Sequence, residues 1–160
     1  QARMKVIFVC EGNTCRSPML EFAFKRHLNA LGASDIDAES RGLHADNKPL
    51  SPYCEAVLSA HAIPYKQRLA IAFSAQDLSN ADVVIAVTAR IADVLSKKYA
   101  NDFNTNKIYS LYDIANCEVA DPYGKGLEEY EKTYKSINGI LPELLNFLIA
   151  YKDEFCNKWC

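Results

Sequence analysis

No apolar run in this chain approaches the ~20 residues that a membrane-spanning helix needs. Neither sign of charge dominates: 18 Lys and Arg stand against 20 Asp and Glu, a net charge of −2. Nothing in that balance suggests the basic stripe of a nucleic-acid binder or the polybasic anchor of a membrane-surface protein. There is no internal repeat, low-complexity tract or linker. The start carries no charged-then-apolar leader, so the expected compartment is the cytoplasm. Gln1 to Arg3 precede Met4 and are read as residues added ahead of a natural start. One domain is expected over residues 4–155.

Histidine pairs that could complete a zinc site with the six cysteines are also missing. At 160 residues the chain can bury roughly two-thirds of its unfolded surface without a disulfide framework. The cysteines are therefore expected to be mostly reduced. Cys54 and Cys117 read as core or loop thiols. Cys156 and Cys160, four apart, read as two terminal thiols on one helix face.

What is present is an alternation of strands and helices. Met4 to Val9 reads as a first strand. Pro18 to Leu31 reads as a helix with Leu20, Ala23, Phe24, Leu28 and Leu31 on one face and Gly32 as its stop. Ile36 to Ser40 is a short strand, and Ser51 to Ala62 a helix with Pro52 in its first turn. Val83 to Val87 is a continuous apolar run of the kind found in central parallel strands. Thr88 can cap a helix over Ala89 to Tyr99, and Lys107 to Leu111 is a fourth strand. From Leu127 to about Tyr151 apolar residues recur at helical spacing, with a kink or break expected at Gly139 and Pro142. This order predicts a three-layer α/β fold: a four-stranded, twisted parallel sheet with helices on both faces, of flavodoxin or Rossmann type. Ligands of such sheets bind beyond the carboxyl ends of the strands.

Cys10-Glu11-Gly12-Asn13-Thr14-Cys15-Arg16-Ser17-Pro18 leaves the first strand at that edge and opens the first helix. A helix N-terminus and a nearby arginine favour a thiolate at Cys10. Arg16 offers parallel donors to an oxyanion. Gly12 allows φ > 0 or a close backbone approach. Asn13 tolerates the left-handed region. Ser17 is placed to cap the helix and to donate to the thiolate. Backbone N–H groups of residues 11 to 16, Thr14 and Cys15 included, would surround a tetrahedral dianion such as phosphate, with the sulfur below it. A Walker-type loop is excluded, because Gly-Lys-Ser/Thr is absent. The leaving group needs a general acid. Asp121, in Asp121-Pro122-Tyr123 on a polar loop at the same edge, is the candidate, with Tyr123 as a pocket wall.

These two motifs resemble those of the low-molecular-weight protein tyrosine phosphatases, and the resemblance runs from Met4 to about Ala150. It implies a cysteinyl-phosphate intermediate with no metal or organic cofactor. By position it makes Cys10 the nucleophile, Arg16 the phosphate clamp, Asp121 the general acid, Asn13 and Ser17 loop supports, and Ser40 the brace of Asn13. It also implies that Cys15 can form a protective disulfide with Cys10 on oxidation. Expected partners are phosphorylated proteins, and the expected state is a monomer or weak dimer. Three positions depart from the family pattern. Glu11 stands at a rim position usually apolar or small, Ala86-Val87-Thr88 replaces Ala-Met-Asp, and Tyr65 stands where many relatives have histidine ahead of Arg68.

Thr14 leaves the substrate open between phosphotyrosine and phosphoarginine. Tyrosine-directed relatives more often carry isoleucine there, and a bacterial arginine-directed branch carries threonine. Two other readings use the same loop. Arsenate reduction would need a relay of resolving cysteines, and Cys54 and Cys117 show no evident relay spacing. A non-catalytic phosphate-binding or redox-sensing module would use Cys10 and Cys15 without turnover.

Overall fold

The computed structural model describes residues 3–154. Cys156, Cys160, Gln1, Ala2 and the expected domain end at residue 155 lie outside them. The elements are β1 (Met4–Cys10), α1 (Arg16–Ala30), β2 (Ile36–Gly42), α2 (Pro52–Ala60), α3 (Ala75–Asn80), β3 (Val83–Ala86), α4 (Ala89–Tyr99), β4 (Ile108–Ser110), α5 (Leu111–Ala115), α6 (Leu127–Gly139) and α7 (Leu141–Glu154).

All four strands are parallel, in the order β2-β1-β3-β4. The two central strands are apolar because helices cover both faces: Val6 to Val9 and Val83 to Ala86 are fully buried. From β1 the chain moves outward to β2, then returns to β3 on the other side of β1. Right-handed crossovers in opposite directions put α1 and α4 on opposite faces. The loops leaving β1 and β3 therefore diverge, and a crevice opens at the carboxyl edge between them.

The buried face of α1 carries Leu20, Ala23, Phe24 and Leu28, and Phe24 meets Phe8 edge to face at 5.7 Å. Leu31 departs from the expected face: the helix ends at Ala30, Gly32 turns the chain at φ 67°, and Leu31 is exposed. The expected break near Pro142 is present between α6 and α7, and Pro142 sits in the first turn of α7, where its missing N–H costs nothing. Leu127 is exposed at the start of α6, whereas the other periodic residues from Tyr130 to Leu148 are buried. Two short helices, α3 and α5, escaped the periodicity. Both are set by capping boxes, Ser74 with Asp77 and Ser110 with Asp113. In place of the family's aspartate after β3, Thr88 caps α4 by accepting from the Ile91 N–H, and Glu118 accepts from the Ala89 N–H at 3.0 Å. Tyr65 packs on Phe22 and donates to Glu55. No helix of the described residues is long and apolar enough to cross a membrane.

Candidate active site

β1 ends at Cys10, level with Gly42 of β2. The pairing continues past both strands, with the Leu43 N–H on the Cys10 carbonyl and the His44 N–H on the Glu11 carbonyl, each at 2.9 Å. The loop over residues 11–15 is thus pressed against the chain leaving β2. Gly42 makes this possible: a Cβ there would lie 2.9 Å from Asn13 N, Glu11 O and Gly12 C. The left-handed residue of the loop is Asn13, at φ 57°. Gly12 does not take φ > 0; a Cβ there would meet nothing within 4 Å, and the residue lines the cavity described below. The turn brings the Asn13 N–H to the Cys10 sulfur at 3.2 Å.

Ser17 does not cap α1 as expected. The helix begins at Arg16, with Cys15 in the capping position and no side-chain cap. The Ser17 hydroxyl instead turns inward, 3.0 Å from Cys10 Sγ and 3.1 Å from the Arg41 carbonyl, while accepting from Asn13 Nδ2 at 2.9 Å. One hydroxyl proton faces two acceptors. With a thiol at Cys10, the S–H can donate to Ser17 and Ser17 to Arg41; with a thiolate, the Ser17 proton serves the sulfur.

The Asn13 side chain is held on both sides. Its Nδ2 also donates to Ser40 Oγ at 3.0 Å, and its Oδ1 accepts from Arg68 Nη1 and from the Ile71 N–H, both at 2.9 Å. Ser40 donates to buried Glu21 at 2.7 Å, and Arg68 Nη2 reaches Ser40 at 2.6 Å and Glu21 at 3.3 Å. The expected Asn13–Ser40 contact therefore sits inside a larger network. Glu21 and Arg68 were missed in the sequence because neither belongs to a local motif; their meeting spans 47 residues.

Three carbonyls carry the second motif to the first. The Val87 N–H bonds to the Val9 carbonyl, and the Val119 N–H to the Val87 carbonyl. The Val119 carbonyl accepts from Arg16 Nη1 at 3.0 Å. Asp121 follows two residues later, 3.5 Å from Arg16 Nη2, with its other oxygen accepting from the Tyr123 N–H. Arg16 is buried and Asp121 half-exposed. A 3.5 Å separation is long for a charge-assisted bond, so Asp121 is loosely held.

Cys10, Arg16 and Asp121 line one cavity of about 210 Å³, together with Glu11, Gly12, Thr14, Cys15, Tyr123 and Tyr130. Tyr130, from α6, forms part of its wall. Glu11 is ion-paired with Arg90 on the rim, and His44 lies 3.6 Å away. Cys10, Cys15, Cys54 and Cys117 are free thiols. The buried Cys54 S–H faces the Cys15 carbonyl at 3.8 Å. A hydrogen bond with the Cys54 thiol, then burial, pushes the Cys15 thiol far above the usual range. A larger cavity of about 570 Å³ opens near the start of β1, but Arg3, Lys5 and Lys25 there are already paired with Asp37, Glu39 and Glu21. The described residues contain no group of three or more His, Cys, Asp or Glu that could hold a metal ion.

The same arrangement of strand, loop and helix occurs in known proteins. The chain is 31% identical over 144 residues to the low molecular weight protein-tyrosine-phosphatase PtpB of Staphylococcus haemolyticus, covering 88% of this chain and 97% of that one. The low molecular weight protein tyrosine phosphatase of T. tengcongensis superimposes with a TM-score of 0.81 at 35% identity, over 89% of this chain and 98% of that one. A cysteine-to-serine mutant of the YwlE arginine phosphatase, with a phosphorylated active-site serine, superimposes equally well, with a TM-score of 0.81 at 26% identity, over 91% and 95% of the two chains. A family model described as low molecular weight phosphotyrosine protein phosphatase matches residues 5–153. With nearly the whole described chain matched, this protein belongs to the low molecular weight phosphotyrosine protein phosphatase family.

Proposed function

We propose that the protein hydrolyses phosphorylated side chains of proteins through a phosphoryl group carried on Cys10. The observation that supports this most is the convergence of the Cys10 sulfur, the buried Arg16 guanidinium and the Asp121 carboxyl on one small cavity. The phosphorylated active-site serine of the YwlE mutant is consistent with such a covalent route.

The Cys10 thiolate attacks phosphorus while the Ser17 hydroxyl and the Asn13 N–H donate to the sulfur. Backbone N–H groups of the loop and Arg16 hold the phosphoryl oxygens. With Nη1 fixed on Val119, Arg16 is pre-oriented and loses little freedom on binding. The dianion competes with Asp121 for Arg16 Nη2 and frees the carboxyl for the leaving atom. As the bond from phosphorus to oxygen or nitrogen breaks, protonated Asp121 gives its proton to the leaving group. Asp121 carboxylate then takes a proton from water, whose oxygen attacks phosphorus. The S–P bond breaks, phosphate leaves, and the thiolate is restored.

Phosphoarginine is kept beside phosphotyrosine as the substrate. Thr14 puts a hydroxyl on the cavity wall, which suits a guanidinium better than a phenyl ring. The likeness to the YwlE arginine phosphatase favours the same choice. Tyr123 and Tyr130, by contrast, offer rings for an aromatic substrate. Peptides carrying either phosphorylated residue, assayed side by side with the protein and its Thr14→Ile variant, decide this. A shift of kcat/KM toward phosphotyrosine in the variant supports phosphoarginine, and an unchanged ratio removes Thr14 from the account. We place this activity in a single domain over residues 4–155 of a cytoplasmic monomer or weak dimer. Free thiols, three of them buried among the described residues, suit such a reducing compartment.

A further inference from the structure

The cavity over Cys10 adjoins a second, larger one. Thr14, Tyr123 and Tyr130 line both. The second is a groove of about 510 Å³ between the segment leading into α2 and the loop before α6. Its walls are mostly apolar. The Tyr53 ring packs on Tyr130 with centroids 5.2 Å apart, and Pro49 and Pro52 stiffen the other side. Tyr53 and Tyr123 are nonetheless 45% and 75% exposed, a large aromatic surface to leave in water.

Charge gives the groove a direction. Lys48 and Lys125 line it, and no carboxylate does. Among the described residues neither lysine is ion-paired. On the Glu11 side of the inner cavity the charge is already answered, because Glu11 pairs with Arg90. The unpaired lysines thus lie on the groove side.

We propose that this groove docks the stretch of substrate next to the phosphorylated residue, and that it selects an apolar or aromatic side chain accompanied by a carboxylate. The inference rests on the phosphatase reading, because the inner cavity must hold the phosphoryl group. An extended chain advances about 3.3 Å per residue, so residues adjacent to the anchored one reach walls that the two cavities share. Rigid tyrosine and proline walls lose little freedom on binding. The exposed lysines supply selection and encounter rate more than affinity, and salt should weaken their effect.

The test compares phosphopeptides of one length whose flanks carry leucine with glutamate, leucine with lysine, or alanine alone. The unaltered protein and the Lys48→Glu/Lys125→Glu double variant are assayed at low and high salt, with p-nitrophenyl phosphate as a substrate that has no flank. The expected preference for the acidic over the basic flank is about tenfold in kcat/KM at low salt, shrinking at high salt. The double variant should abolish or invert it while hydrolysing p-nitrophenyl phosphate within about twofold of the unaltered rate. Equal rates on all flanks overturn the groove, as does a preference that survives charge reversal. Failure of the reduced, unaltered protein to hydrolyse p-nitrophenyl phosphate overturns the phosphatase reading instead. Fluorescence anisotropy of the same peptides on the Cys10→Ser protein then decides the groove separately: flank-dependent affinity sustains it, and flank-independent affinity removes it.

Discussion

Arg68 Nη1 donates to Asn13 Oδ1 at 2.9 Å, so a residue 55 positions downstream fixes the left-handed turn of the Cys10 loop. The same guanidinium reaches Ser40 and buried Glu21. Removing it leaves a carboxylate with only Lys25 as a cationic partner. Arg68→Ala should cost about 1–3 kcal/mol in urea unfolding. It should also lower kcat more than it raises KM, because the loop loses alignment rather than donors. Unchanged kcat with unchanged stability would show that Asn13 needs no support from Arg68.

Gly42 is constrained by contact, not by its own φ. A methyl group there meets three backbone atoms of the Cys10 loop at 2.9 Å, and backbone cannot swing aside as a flexible side chain can. Gly42→Ala should therefore weaken inhibition by inorganic phosphate more than about tenfold while the far-ultraviolet circular dichroism is retained. Ordinary phosphate affinity in this variant would mean that the loop tolerates displacement.

A hydrogen bond with Cys54, then burial, favours the protonated thiol of Cys15. A protonated thiol is a poor attacking group, which slows any disulfide it forms with an oxidised Cys10. Cys54→Ala removes that restraint and should speed the appearance of a Cys10–Cys15 disulfide after peroxide treatment, followed by mass spectrometry of non-reduced peptides. A rate unchanged or slowed by the substitution contradicts the restraint.

Asp35 ties the end of β2's approach to α7 through Lys152, whose hydrogen bond holds the carboxyl below its usual range. A carboxyl depressed in the folded state stabilises above its unfolded pKa of about 3.9 and loses that effect as pH falls through the folded value. Because the pair is half-exposed, its contribution is about 0.2–1 kcal/mol. The Tm difference between the protein and Asp35→Asn should be constant near neutrality and close as pH drops below the ordinary aspartate range. A gap that persists in acid would assign the effect to something other than ionisation.

The sequence displayed most of what is local. Cys10, Arg16 and Ser17 lie within eight residues of one another, and the apolar run at Val83 marks a buried strand without help from the rest of the chain. Asp121 could be located because the α/β alternation places its loop at the carboxyl edge. Long-range closures were not readable. Glu21 and Arg68 look like solvated charges until the fold brings them to Asn13, and Gly42 looks like an ordinary turn residue until the Cys10 loop is laid over it. Only the capping half of the Ser17 expectation fails, for a related reason. Its spacing suits a cap, but a thiol, an amide and a carbonyl compete for the hydroxyl from three directions. The short helices α3 and α5 were hidden because their few residues cannot show a period, although their capping boxes are plain in hindsight.

Turnover runs through a phosphoryl group bonded to Cys10 in the proposed reaction, and acid-quenched mass spectrometry during turnover of p-nitrophenyl phosphate tests that directly. The prediction is a phosphate increment on the peptide bearing Cys10, more abundant in Asp121→Asn, where breakdown by water lacks its base, and absent in Cys10→Ala together with all turnover. Turnover that persists in Cys10→Ala, or a phosphate increment on any other residue, contradicts it.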